Sequence, residues 1–306
     1  KPAMMQTYLD RMPHLQATIS RRPLHLDKVR VFLVHHSTAE VLGLIQALAV
    51  SRCAAVCTTF IRYKGLIPDE HLEALGTLPA DRFRFHALQK IETRDSVGGG
   101  YVISDQFSSL PNMAPLMRTF RSLNLDYLAA MRLLAFHLFF HEAVTAKKNG
   151  EKLLVVEDGG YVSPLLQEDI LLDRTLADSL AKAGITAETA GADWPGPEDL
   201  ARKTAEWFAP VLLGGIEHTR NGHDALASLE RKFGRLAYPN GSIALSDIKN
   251  IEEARECAAS VLNAIESIFC GRGLLLSRRH VVVIGACGHI GSFAMQQLAT
   301  RTTRGS

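Results

Sequence analysis

A few polar residues stand where apolar runs end, the places from which side chains reach a ligand. Residues 29–34 (Val-Arg-Val-Phe-Leu-Val) have the β-branched, apolar character of a strand and deliver His36 just past their carboxyl end. Residues 153–156 (Leu-Leu-Val-Val) form a second apolar strand that runs directly into Glu157-Asp158-Gly159-Gly160. Open α/β sheets place ligands at the carboxyl ends of their strands. An imidazole and a carboxylate there can exchange protons with a bound molecule. The structural alternative is that His36 caps the following helix while Asp158 anchors a turn.

The third constellation is a glycine turn. Residues 281–284 (Val-Val-Val-Ile) lead into Gly285-Ala286-Cys287-Gly288-His289-Ile290-Gly291, and residues 292–298 are helical in pattern. Glycines between a strand and a helix let a pyrophosphate approach the backbone N–H groups at the helix N-terminus. NAD is the cofactor this implies. The spacing G-x-x-G-x-x-G is a variant of the usual G-x-G-x-x-G, and a helix-packing turn without ligand is the alternative. Residues 292–306 contain no Asp or Glu to hold a ribose and are too few for further βα units. The expectation is a chain that is truncated inside a larger protein.

No residue set is expected to hold a metal. His137 and His141 lie four apart on one helix face, but their surroundings are bulky and apolar and supply no third ligand, so a packed helix is expected. His218 and His223 flank a polar turn, where a metal pair is the alternative to substrate contacts or solvent-exposed groups. Cys53 and Cys57, beside a strand, read as core thiols.

These residues need a frame. The chain has 306 residues, about two domains' worth, with 47% hydrophobic and 22% charged residues, an ordinary globular composition. Strand, helix and strand alternate at 29–34, 39–50 and 54–60, and again at 153–156 and 211–213, which predicts parallel βαβ units. Helices are expected over 4–19, 123–146, 198–207 and 250–270, a loop over 96–100, and a strand over 279–285. The expected fold class is α/β: a parallel-sheet, Rossmann-like substrate domain over 1–272, then the first β-α unit of an NAD-binding Rossmann domain over 273–306. A net charge of +2 argues against nucleic-acid or membrane-surface partners. The most apolar stretch, 131–140, is well short of the ~20 residues that span a bilayer. Five cysteines, an odd number, fit a reduced, cytoplasmic setting.

With these pieces in order, the chain resembles the S-adenosylhomocysteine hydrolases over nearly all its length. His36, Thr38 and Glu40 match that family's H-x-T-x-E segment, and residues 156–160 are similar to its D-D-G-G turn. Residues 215–222 sit where the family has G-I-S-E-E-T-T-T-G, and residues 246–262 resemble the segment before its NAD-binding strand. The resemblance implies NAD-dependent 3′-oxidation and elimination on an adenosine-like nucleoside or thioether. It also implies a homo-oligomer. His36 and Asp158 would be acid/base groups, Thr38 and Glu40 would face the adenine edge, and Cys257 would lie near the cofactor. His218 stands where the family has a ribose-binding glutamate, and Thr219, Arg220 and Asn221 replace three threonines at the nicotinamide end. The catalytic lysine falls at Ile248, with Lys249 one residue away, and the family's Asp-Asn pair falls on Glu252 and Glu253. These replacements leave a second expectation open: a binding or assembly domain that has lost hydrolase activity.

Overall fold

The computed structural model describes residues 7–22, 24–62, 66–91, 100–107 and 113–302. The expected loop at 96–100 lies almost wholly outside them. The chain divides into two compact units, Lys1–Gly241 and Ser242–Ser306.

The first unit opens with α1 (Pro13–Arg21), β1 (Val29–His36), α2 (Ala39–Val50), β2 (Ala55–Ile61), α3 (Asp69–Gly76) and β3 (Phe83–Lys90). After these come β4 (Tyr101–Ile103), α4 (Ala114–Leu123), α5 (Tyr127–Asn149), β5 (Lys152–Glu157) and α6 (Ser163–Leu171). Four short helices follow, α7 (Leu176–Lys182), α8 (Ala187–Ala190), α9 (Pro197–Ala201) and α10 (Thr204–Phe208). The unit finishes with β6 (Leu212–Glu217) and α11 (Arg220–Phe233), and β7 (Asn240–Ser242) falls at its edge.

Seven strands make one sheet in the order β4-β3-β2-β1-β5-β6-β7. β1 pairs in parallel with both β2 and β5, β2 with β3, and β5 with β6, while β4 runs antiparallel to β3. The fold is a Rossmann-like α/β fold. Strand order reverses between β1 and β5: the chain leaves β1 toward one edge and leaves β5 toward the other. Such a reversal opens a crevice at the strands' carboxyl ends.

Both sheet faces are covered at β1 and β2, which explains their unbroken apolar runs. Phe32 and Val34 join the core formed with α5, whereas Val31 and Leu33 join the opposite core with Val41 and Ile45 of α2. The alternation is the two-residue period of a strand. Asp126 caps α5 by accepting the Ala129 N–H at 2.8 Å, and Gly150 closes it with φ +66°. Among the described residues α5 alone is long and apolar enough to cross a bilayer, but 72% of that window is buried inside the protein. It is the central core helix, longer than its ten-residue apolar centre. His137 is buried within it, and Cys53 and Cys57 are fully buried.

Three local expectations are corrected. Residues 218–223 are not a polar turn: α11 begins at Arg220, and Gly222 lies in its first turn. The helix expected over 198–207 is two, α9 and α10, interrupted at Arg202 and Lys203. Residues 279–285 form no strand; Val282 and Ile284 are exposed, and no strand neighbours them among the described residues. Apolar β-branched residues become a strand only by pairing.

In the second unit a π-helical turn, Ile248–Glu253, leads into α12 (Ala254–Cys270), and α13 (His289–Arg301) follows. Arg301 of α13 donates to Asn263 and Glu266 of α12, each at 3.0 Å. The two helices therefore belong to one unit, and the compact boundary falls at residue 241 rather than after residue 272.

Candidate functional site

Three strand ends lie level. Val34 of β1 is the register partner of Glu157 of β5, and Glu157 that of Glu217 of β6. The ladder continues one residue further, since Asp158 N–H donates to Val34 O and His218 N–H to Glu157 O, both at 2.9 Å. The backbone therefore fixes Asp158 and His218 beside the end of β1, where His35 and His36 stand.

All three imidazoles converge on one carboxylate oxygen. Asp158 Oδ2 is 3.5 Å from His35 Nδ1, 3.8 Å from His218 Nδ1 and 3.9 Å from His36 Nε2. Asp158 and His35 are buried, and the His36 side chain is 41% exposed. Burial pushes the Asp158 carboxyl up, but the His218 hydrogen bond and the nearby imidazoles outweigh it, holding the group below its ordinary value. Asp158 is a carboxylate at neutral pH. One ligand-capable atom from each of His35, Asp158 and His218 lies within 4.8 Å of the other two.

The turns that present these groups are held by buried glutamates. Glu157 accepts the N–H groups of Val162 and Ser163 at 2.8 and 2.7 Å, fastening the start of α6. Glu217 Oε1 accepts the Gly159 N–H at 3.1 Å, the Thr219 N–H at 2.8 Å and the Thr219 hydroxyl at 2.9 Å. Burial, with the neighbouring Glu217, pushes the Glu157 carboxyl up to about 7. The Asp158-Gly159-Gly160 turn needs its glycines: φ is +118° and +66°, and a Cβ on Gly160 would come within 2.9 Å of Gly222 Cα.

The structure thus brings together His36, Asp158 and His218. Thr38 caps α2, its Oγ1 accepting the Val41 N–H at 3.4 Å, and Glu40 is exposed in the same first turn. Thr219 caps α11 while bonded to Glu217, Arg220 pairs with Asp224 at 2.8 Å, and Asn221 is exposed beside it. Sequence reasoning missed His35, although two consecutive imidazoles at a strand end were the signal. It also missed Glu157 and Glu217.

The remaining expected residues belong to the second unit. Lys249 Nζ pairs with Glu253 at 2.5 Å, Glu252 with Arg255 at 3.0 Å, and Cys257 is half-buried on α12. The glycine turn closes on itself: Gly288 N–H donates to Gly285 O at 3.0 Å, and Gly285 has φ +86°. A Cβ on Gly291 would sit 2.1 Å from Gly285 O, so no other residue fits. The turn delivers Gly288 as the N-cap of α13. The Gly288 N–H is engaged within the turn by Gly285 O, and no strand of a dinucleotide fold precedes the turn among the described residues.

A cavity of ≈ 240 Å³, lined by Lys147, Trp194 and Trp207 among others, shares no residue with the Asp158 cluster. No family model matches the chain, and no curated protein matches it.

Proposed function

We infer that Lys1–Gly241 binds a hydroxyl-bearing small molecule of the adenosine-like nucleoside or thioether class, in the crevice between β1 and β5, and performs acid–base chemistry on it. One observation carries this: an ionised carboxylate within 3.9 Å of three imidazoles, at the point where strand order reverses. His36, the most exposed of the three, transfers the proton at the ligand. Asp158 orients the imidazole and stabilises its charged form. His218 contacts the ligand from the β6 side.

The resemblance of four motifs to those of S-adenosylhomocysteine hydrolases supports NAD as cofactor and 3′-oxidation followed by elimination as the reaction. Gly285, Gly288 and Gly291 would hold the pyrophosphate at the N-terminus of α13, and the nicotinamide, when bound, supplies a hydride acceptor. The same reading carries a reduced, cytoplasmic setting, which the free thiols support, and a homo-oligomer. A second reading, a binding or assembly module without turnover, is favoured by Lys249, whose ammonium is already held by Glu253 at 2.5 Å.

The test is incubation of the protein with NAD and adenosine while recording reduced-nicotinamide absorbance and, separately, nucleoside binding. Growth of the signal in the wild type, its loss in Asp158→Asn and His36→Gln, and nucleoside affinity kept in both is the expected result. Binding without signal establishes the second reading. Absence of nucleoside binding overturns both.

A further inference from the structure

The geometry points to a binding site for one divalent transition cation of the zinc class, held by His35, Asp158 and His218. This goes beyond the acid–base reading, in which His35 has no role, and its test needs no nucleoside.

Spacing is the first argument. Asp158 Oδ2 lies 3.5 Å from His35 Nδ1 and 3.8 Å from His218 Nδ1, and the three residues keep one ligand atom each within 4.8 Å of the others. A tetrahedral cation about 2.1 Å from its ligands spaces them about 3.4 Å apart. Shifts of a few tenths of an ångström close the two shorter edges around an ion.

The proton inventory is the second. His36 N–H donates to His35 Nδ1 at 2.9 Å, so that nitrogen presents a lone pair rather than a proton. The same lone pair stands 3.5 Å from an oxygen of the Asp158 carboxylate. A cation seated between that nitrogen and the carboxylate would take over the lone pair that the His36 N–H now engages. The donor set decides which cation. Two neutral imidazoles with one carboxylate suit zinc, cobalt or iron(II), whereas magnesium and calcium prefer oxygen ligands throughout.

Rigidity is the third. The ligands stand at the ends of three adjacent parallel strands, and the backbone bonds from Asp158 to Val34 and from His218 to Glu157 lock two of them in place. His35 and Asp158 are buried, while the His218 side chain is 29% exposed, so one side stays open to an entering ligand, as catalytic sites require. His36 stands beside that opening. A bound cation polarises a ligand hydroxyl there, and His36 takes its proton.

The experiment titrates chelator-treated full-length protein with Co²⁺, reading visible d–d absorption, and repeats the titration with Zn²⁺ by calorimetry and thermal shift. We expect saturation at one equivalent, displacement of Co²⁺ by Zn²⁺, no competition from Mg²⁺ or Ca²⁺, and a rise in wild-type melting temperature with Zn²⁺. Loss of an outer partner costs 10–100-fold in affinity, so His35→Gln, Asp158→Asn and His218→Gln should each weaken Co²⁺ by about 100-fold or more. His36→Gln and the exposed His25→Gln should keep the wild-type spectrum. No saturable Co²⁺ absorption in the wild type overturns the site, and so does a spectrum unchanged in both Asp158→Asn and His218→Gln. The two proposals fail separately. Co²⁺ binding without NAD reduction overturns the redox reading alone; NAD reduction by protein that binds no Co²⁺ overturns the cation site alone.

Discussion

Gly222→Ala tests whether the buried glutamate beneath α11 sets the end of β6, and with it His218. A methyl group at residue 222 would lie 1.9 Å from Glu217 Oε2 and 2.1 Å from its Cδ, far inside contact distance. Glu217 cannot swing aside freely. It is fully buried, and its Oε1 accepts three hydrogen bonds, from Thr219 N–H, the Thr219 hydroxyl and Gly159 N–H. Overpacking alone costs about 1–3 kcal/mol. Each displaced bond adds about 1 kcal/mol, and alanine returns about 1 kcal/mol of helix propensity. With one or two bonds lost, the net destabilisation is about 1–4 kcal/mol. Urea unfolding measures it directly: the midpoint should fall while the slope stays constant, because the buried surface is unchanged. Amide exchange at Gly159 and Thr219 should accelerate with it. A variant as stable as wild type, with exchange unchanged at both amides, would refute the claim that Glu217 fixes this corner.

Two further outcomes follow from the core. Glu142 is fully buried and accepts from Arg30 Nε at 2.8 Å and from Arg84, so Glu142→Ala leaves Arg84 without a carboxylate and Arg30 with Glu151 alone, and should cost about 3 kcal/mol in the same urea assay. Burial pushes His86 down to about 3 and His137 down to about 4, both below an unfolded value near 6.5. The unfolded chain therefore takes up protons that the folded chain refuses, and stability, complete above pH ~6.5, falls as the pH drops toward 4. The two together should cost about 2–3 kcal/mol at pH ~5.5, and His137→Leu should flatten part of that slope in unfolding measured across the range.

How far the sequence discloses this molecule depends on whether an element's reason for existing is local. β1 and β2 are visible because strands buried on both faces must be apolar along their whole length, and β5 and β6 are visible through short apolar runs, although β6 leaves Leu213 and Ile216 exposed. α5 is visible through its basic last turn and Gly150, while its start, capped by Asp126, lies a turn later than the apolar pattern suggests. β3 is hidden by its polar residues: Arg84 faces Glu142 and His86 lies in the core, so the strand reads as mixed although the fold buries both charge and ring. α11 is hidden by Gly222, which reads as a turn signal but is there because Glu217 leaves no room for a Cβ. The strand expected at 279–285 has the right composition and no strand beside it among the described residues.

The candidate site divides the same way, and its logic is a two-residue rule. Strand neighbours point to opposite sides. Glu157 and Glu217, register partners at the ends of β5 and β6, turn inward and accept backbone N–H groups, from the start of α6 and from the cap of α11. The next residue on each strand, Asp158 and His218, therefore faces the crevice. Each strand end thus spends one acid on fixing the turn and presents the following residue to a ligand. The spacing of Asp158 after an apolar run is legible because that rule is local. The meeting of Asp158 with His35, His36 and His218 is not, because it depends on strand order, which places β5 and not β2 on the side of β1 where the chain reverses. Pairing two buried carboxyls to hold that corner has an electrostatic consequence: Glu157 is pushed up to about 7 while Asp158, one residue on and ringed by imidazoles, stays ionised. Adjacent acids on one strand are thereby driven apart in character. The inner one is a structural clamp, and the outer one is the charge around which the site is built.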